Sequence, residues 1–356
     1  MIKHHKESGL KGRTWLALVL LFTITCSATT AFGGADQNQV SKRKKIGISL
    51  KLSGSGGYLL NGMGDLNSFR LSRKAEAEGL DQESGYSSVL NWGSPWFVPA
   101  LSADIIVNVG GRFGFGFGTG FIQGQSKGVH SVKYSEEGYD WWSGDPYKET
   151  SKWVENDSLK LTAVPIKFDL YFFQPLKSSG KISLFAHAGV GYYSGKLRKS
   201  YDQQGESKTD YFGSVYLDEW DNSITENAKN HAWGYHGGFG LEFKIAKGIS
   251  FCSEVFGRYV DFNDWRGDAN YSHRSNSKAG DDYGWWYENS EEETAHWKGS
   301  MWTYQIYDGN YDITHTYVFT FPDKPQGTDF KNVRKSALNL NAFGIVLSVK
   351  FHFDLF

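Results

Sequence analysis

Two short stretches carry residue types that could do chemistry. His273-Arg274-Ser275-Asn276 sets an imidazole two positions from a hydroxyl, with an amide beside it. A serine needs an adjacent base before it becomes nucleophilic, so the combination is chemically sensible. Asp308-Gly309-Asn310-Tyr311-Asp312 begins like a calcium loop. However, Ile313 and Phe319 stand at its sixth and twelfth positions, where a glycine and a glutamate are needed. It reads better as a turn between Met301–Tyr307 and Tyr311–Phe321, two runs whose Tyr, Trp and Thr suit strands. A third, dispersed set consists of Asp104, Lys167, Asp169, Glu242, Lys244, Glu254, Arg258, Lys350 and His352. The sequence contains no Cys/His metal cluster and no nucleotide loop, so neither metal nor cofactor is expected.

The dispersed charges acquire meaning from the stretches that hold them. From Phe343 to Leu355 every second residue is apolar, while Lys350, His352 and Asp354 fall between. A period of two sends these sets to opposite faces of a strand. Seven more stretches share the pattern: 46–52, 98–110, 113–121, 159–173, 182–192, 233–245 and 249–259. Gly114, Gly116, Gly118 and Gly120 alternate with Phe113, Phe115, Phe117 and Phe121, leaving room for large neighbours on the inner face. Pro165 is a local misfit for a strand interior.

Between the eight stretches, connections of a few residues alternate with long ones at about 54–95, 125–157, 197–230 and 264–335. An antiparallel up-and-down transmembrane β-barrel of eight strands, with long loops on the extracellular face, produces this order. A ten-strand alternative arises if the two arms flanking Asp308–Asn310 are also barrel strands. The interior of an eight-stranded barrel is filled by side chains, so the dispersed charges are expected to form a paired network within it. On the lipid face each would cost about 2–4 kcal/mol near the midplane.

The chain has 356 residues, a net charge of −1 and an aromatic content of 16%. Near-neutrality points to no nucleic-acid partner. No apolar run is long enough for a membrane-spanning helix. The N-terminus reads as a cleaved secretory signal over 1–33: a basic start, the apolar run Thr14–Thr25, and small residues at Ala28, Ala31 and Gly33. A lipid-modified Cys26 is the competing reading of that segment. A polar lead-in covers 34–44, and the barrel 45–356. Loss of Cys26 leaves Cys252 alone, expected as a small buried side chain.

From Lys44 onward the pattern resembles the eight-stranded outer-membrane β-barrel families of the OmpA, OmpX and OmpW type. That resemblance implies residence in the cell outer membrane, contact with its lipid and lipopolysaccharide, and recognition of a terminal aromatic by the barrel-assembly machinery. Phe353 closes the outward series, whereas Phe356 is out of phase. His273-Arg-Ser275-Asn276 resembles the His-x-Ser-Asn core of the lipid A 3-O-deacylase family. It implies His273 as general base, Ser275 as nucleophile and Asn276 as oxyanion support. The leading expectation is nevertheless a non-enzymatic barrel working through aromatic-rich loops in binding, adhesion or envelope integrity. Trp141, Trp142, Trp285, Trp286 and Tyr287 would contact a surface glycan, lipopolysaccharide or protein. A deacylase-like enzyme and a narrow solute channel are the alternatives.

Overall fold

The computed structural model describes residues 46–60, 63–93, 97–140, 143–176, 181–281, 284–309 and 313–354. The export segment, Cys26, the polar lead-in, Trp141, Trp142, Asn310–Asp312 and Phe356 lie outside these residues. In chain order the elements are β1 (Ile46–Leu59), α1 (Asp65–Leu80), β2 (Tyr86–Trp92), β3 (Phe97–Val109), β4 (Phe113–Tyr139), β5 (Pro146–Pro175), β6 (Ile182–Tyr211) and β7 (Ser214–Ala246). They continue with β8 (Ile249–Asn263), β9 (Arg266–Asp281), β10 (Gly284–Asp308), β11 (Ile313–Phe321), β12 (Phe330–Lys335), β13 (Ala337–Asn339) and β14 (Ala342–Asp354).

Antiparallel pairing runs β1-β3-β4-β5-β6-β7-β8-β14 and returns to β1, a closed ring of eight strands without an edge. These are the eight alternating stretches of the sequence. The hairpin β10–β11 lies off the ring, which removes the ten-strand alternative. Around the ring the expected parity holds. Phe117, Phe168, Phe239 and Ile345 point outward and stay exposed, while Lys51, Asp104, Asp169, Glu254 and Lys350 point inward and are buried. At Pro165 the β4–β5 ladder skips the Gly120 and Phe121 positions without changing register, and the Pro165 carbonyl instead accepts from Thr119 Oγ1 at 2.9 Å. The missing proline N–H explains the gap.

The total of 14 strands corrects the expectation of eight joined by loops. The segments 125–157 and 197–230 are not loops but the upper parts of β4 to β7, strands of 27, 30, 30 and 33 residues that run far beyond the ring. In this upper storey β2 joins β4, and β9, β10 and β11 add in turn beyond β7. The segment 54–95 holds α1 and β2, and 264–335 holds β9 to β12.

The helix follows from Leu66, Phe69, Ala77 and Leu80, whose spacing places them on one side with Arg73 among them. It packs against β11 and β2, bridging the two ends of the upper sheet. The larger core cluster lies here: Leu66 and Phe69 meet Leu159, Leu161, Leu197, Phe262, Trp265 and Val318. A smaller cluster near the opposite end of the ring contains Ile106, Tyr171, Phe173, Phe185 and Cys252. Cys252 is buried there, as expected.

Candidate functional site

Inside the ring the dispersed charges come together in pairs. Lys51 Nζ lies 2.7 Å from Glu254 Oε2, Lys167 Nζ 2.7 Å from Asp104 Oδ1, and Lys350 Nζ 3.0 Å from Glu242 Oε2. His187 bridges Asp169 and Glu254 at 2.8 and 2.6 Å, His236 meets Asp169 at 2.9 Å, and His352 meets Glu242 at 2.9 Å. The glycines make space for these pairs. A Cβ at Gly118 would collide with the Asp104 carboxylate, and one at Gly189 with Asp169 and His236. Two expected members behave differently. Lys244 is exposed at the rim, where a register shift between Lys244 and Ala246 interrupts the ladder. Among the described residues Arg258 meets no carboxylate: its Nε donates to the Leu340 carbonyl at 2.9 Å, and one terminal nitrogen is buried without a hydrogen bond.

Arg258 borders a cavity of about 80 Å³, shared with Ser53, Lys167, Tyr171, His187 and His236. Water takes about 30 Å³ each in the liquid, so the space suits a small polar water cluster. Aromatic packing of Tyr171, Phe173 and Phe185 lies on one side and the large core cluster on the other. Side chains thus occupy much of the lumen around this cavity, as the width of an eight-stranded ring dictates.

The plug of the upper storey is held by ions. Asp65, at the start of α1, accepts from Arg334 at 2.5 Å, Thr303 at 2.9 Å and the Ala337 amide at 2.8 Å, tying the helix to β10, β12 and β13. Lys199 and Glu226 form a buried cross-strand pair at 2.9 Å. Lys199 also donates to the Val318 carbonyl at 2.7 Å, and Glu226 accepts from the Thr320 amide at 2.5 Å. Two side chains thus satisfy backbone groups of β11.

Higher still, one polar row crosses six strands. Ser88 Oγ stands 2.8 Å from His130 Nε2, and His130 Nδ1 stands 2.9 Å from Glu155 Oε2. Glu155 Oε1 accepts from Gln203 and from Tyr201, each at 3.1 Å. Asn222 donates to Gln203 at 2.9 Å, and its carbonyl lies 2.5 Å from His273 Nδ1. The row follows the register, since Glu155 is opposite His130 and Gln203, and Asn222 is opposite Gln203 and His273.

From α1, Arg73 reaches the same Glu155, lies 2.6 Å from Glu76 and 3.9 Å from Asp157. Burial opposes the Arg73 charge, but Glu76 and Asp157 more than offset it and raise its pKa. Burial, and then Arg73, lower the pKa of His130 to about 4, so its imidazole is neutral at pH 7. Burial raises Asp157 to about 6 despite Arg73 and Lys199.

His273 belongs to this row, yet the group suggested by sequence does not assemble. His273 and Ser275 lie on β9, two residues apart on one face, while the strand alternation sends Asn276 to the other. Asn276 donates to Glu219 at 3.2 Å, away from any oxyanion beside Ser275. The residues that sequence alone does not bring together are Ser88, His130 and Glu155, which are separated by tens of residues and meet only through the register of β2, β4 and β5.

The aromatic residues divide. Trp92 packs edge-on against Phe69, and Trp265 is buried beside Phe262, so these belong to the plug. Trp285, Trp286 and Tyr287 remain 53%, 59% and 49% exposed at the β9–β10 tip, and Trp286 meets Tyr216 at 6.2 Å. Tyr139 and Phe212 are exposed at the tips of the neighbouring hairpins.

No family model matches the chain, and no curated protein matches it. Among solved structures, the outer membrane protease OmpT from Escherichia coli aligns at 9% identity over 89% of this chain and 100% of that one, with a TM-score of 0.22. A FadL homologue from Pseudomonas aeruginosa aligns at 9% identity over 88% of this chain and 91% of that one, with a TM-score of 0.15. Likeness at that level leaves the function to be read from the chain's own geometry.

Proposed function

We propose that the chain is an outer-membrane β-barrel with a sealed lumen, whose work is binding at the surface through the distal tips of its upper storey. The observation that carries the membrane reading is a change along single strands. On β5 the outward residues Lys152, Asn156 and Lys160 give way to Val164, Ile166, Phe168 and Leu170. On β7 Lys229 and His231 give way to Trp233, Tyr235 and Phe239. On β6, Lys196 and Arg198 lie above Tyr192 and Val190. An apolar band confined to the ring and edged by Tyr and Trp is what a bilayer selects. Water suits the polar outer face above it.

Binding at the tips is supported by Trp285, Trp286 and Phe212, large apolar side chains held in the open with little to bury them. Retention of the full protein, in detergent micelles, on immobilised lipopolysaccharide and on a glycan array tests this. Retention should fall at least tenfold in the Trp285→Ala/Trp286→Ala variant, and undiminished retention ends the assignment. In planar bilayers the inserted protein should be electrically silent, and steady single-channel conductance would contradict a sealed lumen.

A further inference from the structure

We propose that Ser88, His130 and Glu155 form a hydrolytic triad that cleaves carboxylic esters on the inner face of the upper storey. The three side chains are connected in the order such chemistry requires: hydroxyl to Nε2 at 2.8 Å, and Nδ1 to carboxylate at 2.9 Å. Because Nδ1 faces a carboxylate, it carries the ring proton, and Nε2 is left as the acceptor facing Ser88. The low pKa of His130 keeps that acceptor free at neutral pH.

Glu155 is held by more than the imidazole. Tyr201 and Gln203 fix its other oxygen, so the carboxylate that orients His130 is itself oriented. Arg73 brings positive charge to the same group, and its Nε is buried without a hydrogen bond. Ser88 sits on β2, which pairs only with β4 among the described residues. One inward position above it, Tyr86 packs against Tyr134 with ring centroids 4.6 Å apart. Two residues of strand span about 7 Å, so the buried Ser88 lies about that far along β2 from this aromatic pair.

The reaction needs only water as co-reactant. Ser88 Oγ attacks the ester carbonyl carbon while its proton passes to His130 Nε2. The carbon–oxygen bond to the leaving group then breaks, and the departing oxygen takes the proton from Nε2. Water repeats the sequence on the acyl-serine, releasing the acid and restoring Ser88. A planar aryl ester suits the Tyr86–Tyr134 pair.

The test uses the full protein folded in detergent micelles, a fluorophosphonate probe and p-nitrophenyl acetate. Mass spectrometry should place one probe on Ser88 in the wild type and none in Ser88→Ala. Ester hydrolysis should fall at least a hundredfold in Ser88→Ala and in His130→Gln, with strand content by circular dichroism unchanged. The acid limb of the rate should lie near pH 4, set by burial and by Arg73 and Glu76 of α1, with Glu155 and Asp157 of β5 and Tyr201 of β6 facing the same site. If folding is lost in Ser88→Ala, Ser88→Thr is compared for labelling in its place. A folded wild type that takes no probe at Ser88, or hydrolysis equal in wild type and His130→Gln, overturns the proposal and leaves the three residues as an anchor for Arg73.

Discussion

The ring and the upper storey are built from the same strands but turn different outer faces, apolar on the ring and polar above it. In the ring, β5 turns Ile166, Phe168 and Leu170 outward and Lys167 and Asp169 inward. About 40 Å further along, the same strand turns Lys152 and Asn156 outward, yet its inward residues Glu155 and Asp157 are still charged. The inner face therefore carries charges at both levels, with the apolar Leu159, Leu161 and Ala163 between them, whereas the outer face changes from apolar to polar along the strand. The inside of such a cylinder is fixed by what the fold must satisfy, and the outside by where the fold must sit.

The largest test of that contrast removes a carboxylate from each storey. Glu254→Gln leaves Lys51 and His187 without their shared partner, at a cost of about 3–5 kcal/mol. Urea titration in micelles should show the whole ring weakened. Glu226→Gln isolates Lys199 in the same way but should loosen β11 alone, read as faster amide exchange over Ile313–Phe321 with the ring unchanged. Equal effects on both storeys would mean that ring and plug unfold as one unit.

A smaller difference comes from the outer face. Phe117→Arg should cost about 2–4 kcal/mol in lipid, while Val154→Arg, outward on the upper part of β5, should stay within about 0.5 kcal/mol. The fraction folded into vesicles, followed by heat-modifiable electrophoretic mobility, measures both. A similar cost at the two positions would break the assignment of the band.

Acidification separates two upper-storey groups of opposite sign. His130, lowered to about 4, contributes stability that is complete above its ordinary value near 6.5 and is lost as pH falls through 4. Asp157, raised to about 6, contributes stability that is complete below its ordinary 3.8 and is lost as pH rises through 6. The two largely cancel between pH 6 and 4. Asp157→Asn should therefore lose protection of the α1 amides on acidification over that range, and His130→Gln should gain it, by up to about 2–3 kcal/mol each. Hydrogen exchange of Asp65–Leu80 gives the readout. Least of all, Trp285→Ala should change stability by under about 0.5 kcal/mol, since its ring is exposed.

The ring was legible in the sequence because its outward face carries an apolar residue at every second position. Above the band the alternation continues without an apolar signal. The inward series Tyr171, Asp169, Lys167, Pro165, Ala163, Leu161, Leu159, Asp157 and Glu155 is unbroken in phase, so the extension of β5 could have been followed from its inner face alone. Helix α1 was hidden by Arg73, a charge in the middle of its inward stripe that only the chamber's carboxylates explain. His273 was found by its neighbours in sequence, but its true partners are neighbours in register. Ser88 gave no signal at all, being one serine in a polar segment until β2 pairs with β4.

The β6–β7 hairpin is paired without a register shift along all 30 residues of β6. From Tyr192 at the edge of the band to Tyr211 at its end, it spans about 60 Å along the strand, or about 45 Å after a tilt of 40°. A stem of that reach acts as a lever arm. Tilting the ring by about 10° about its base would sweep the tip sideways by about 8 Å, so a contact made there samples an area wider than a tip held close to the ring would.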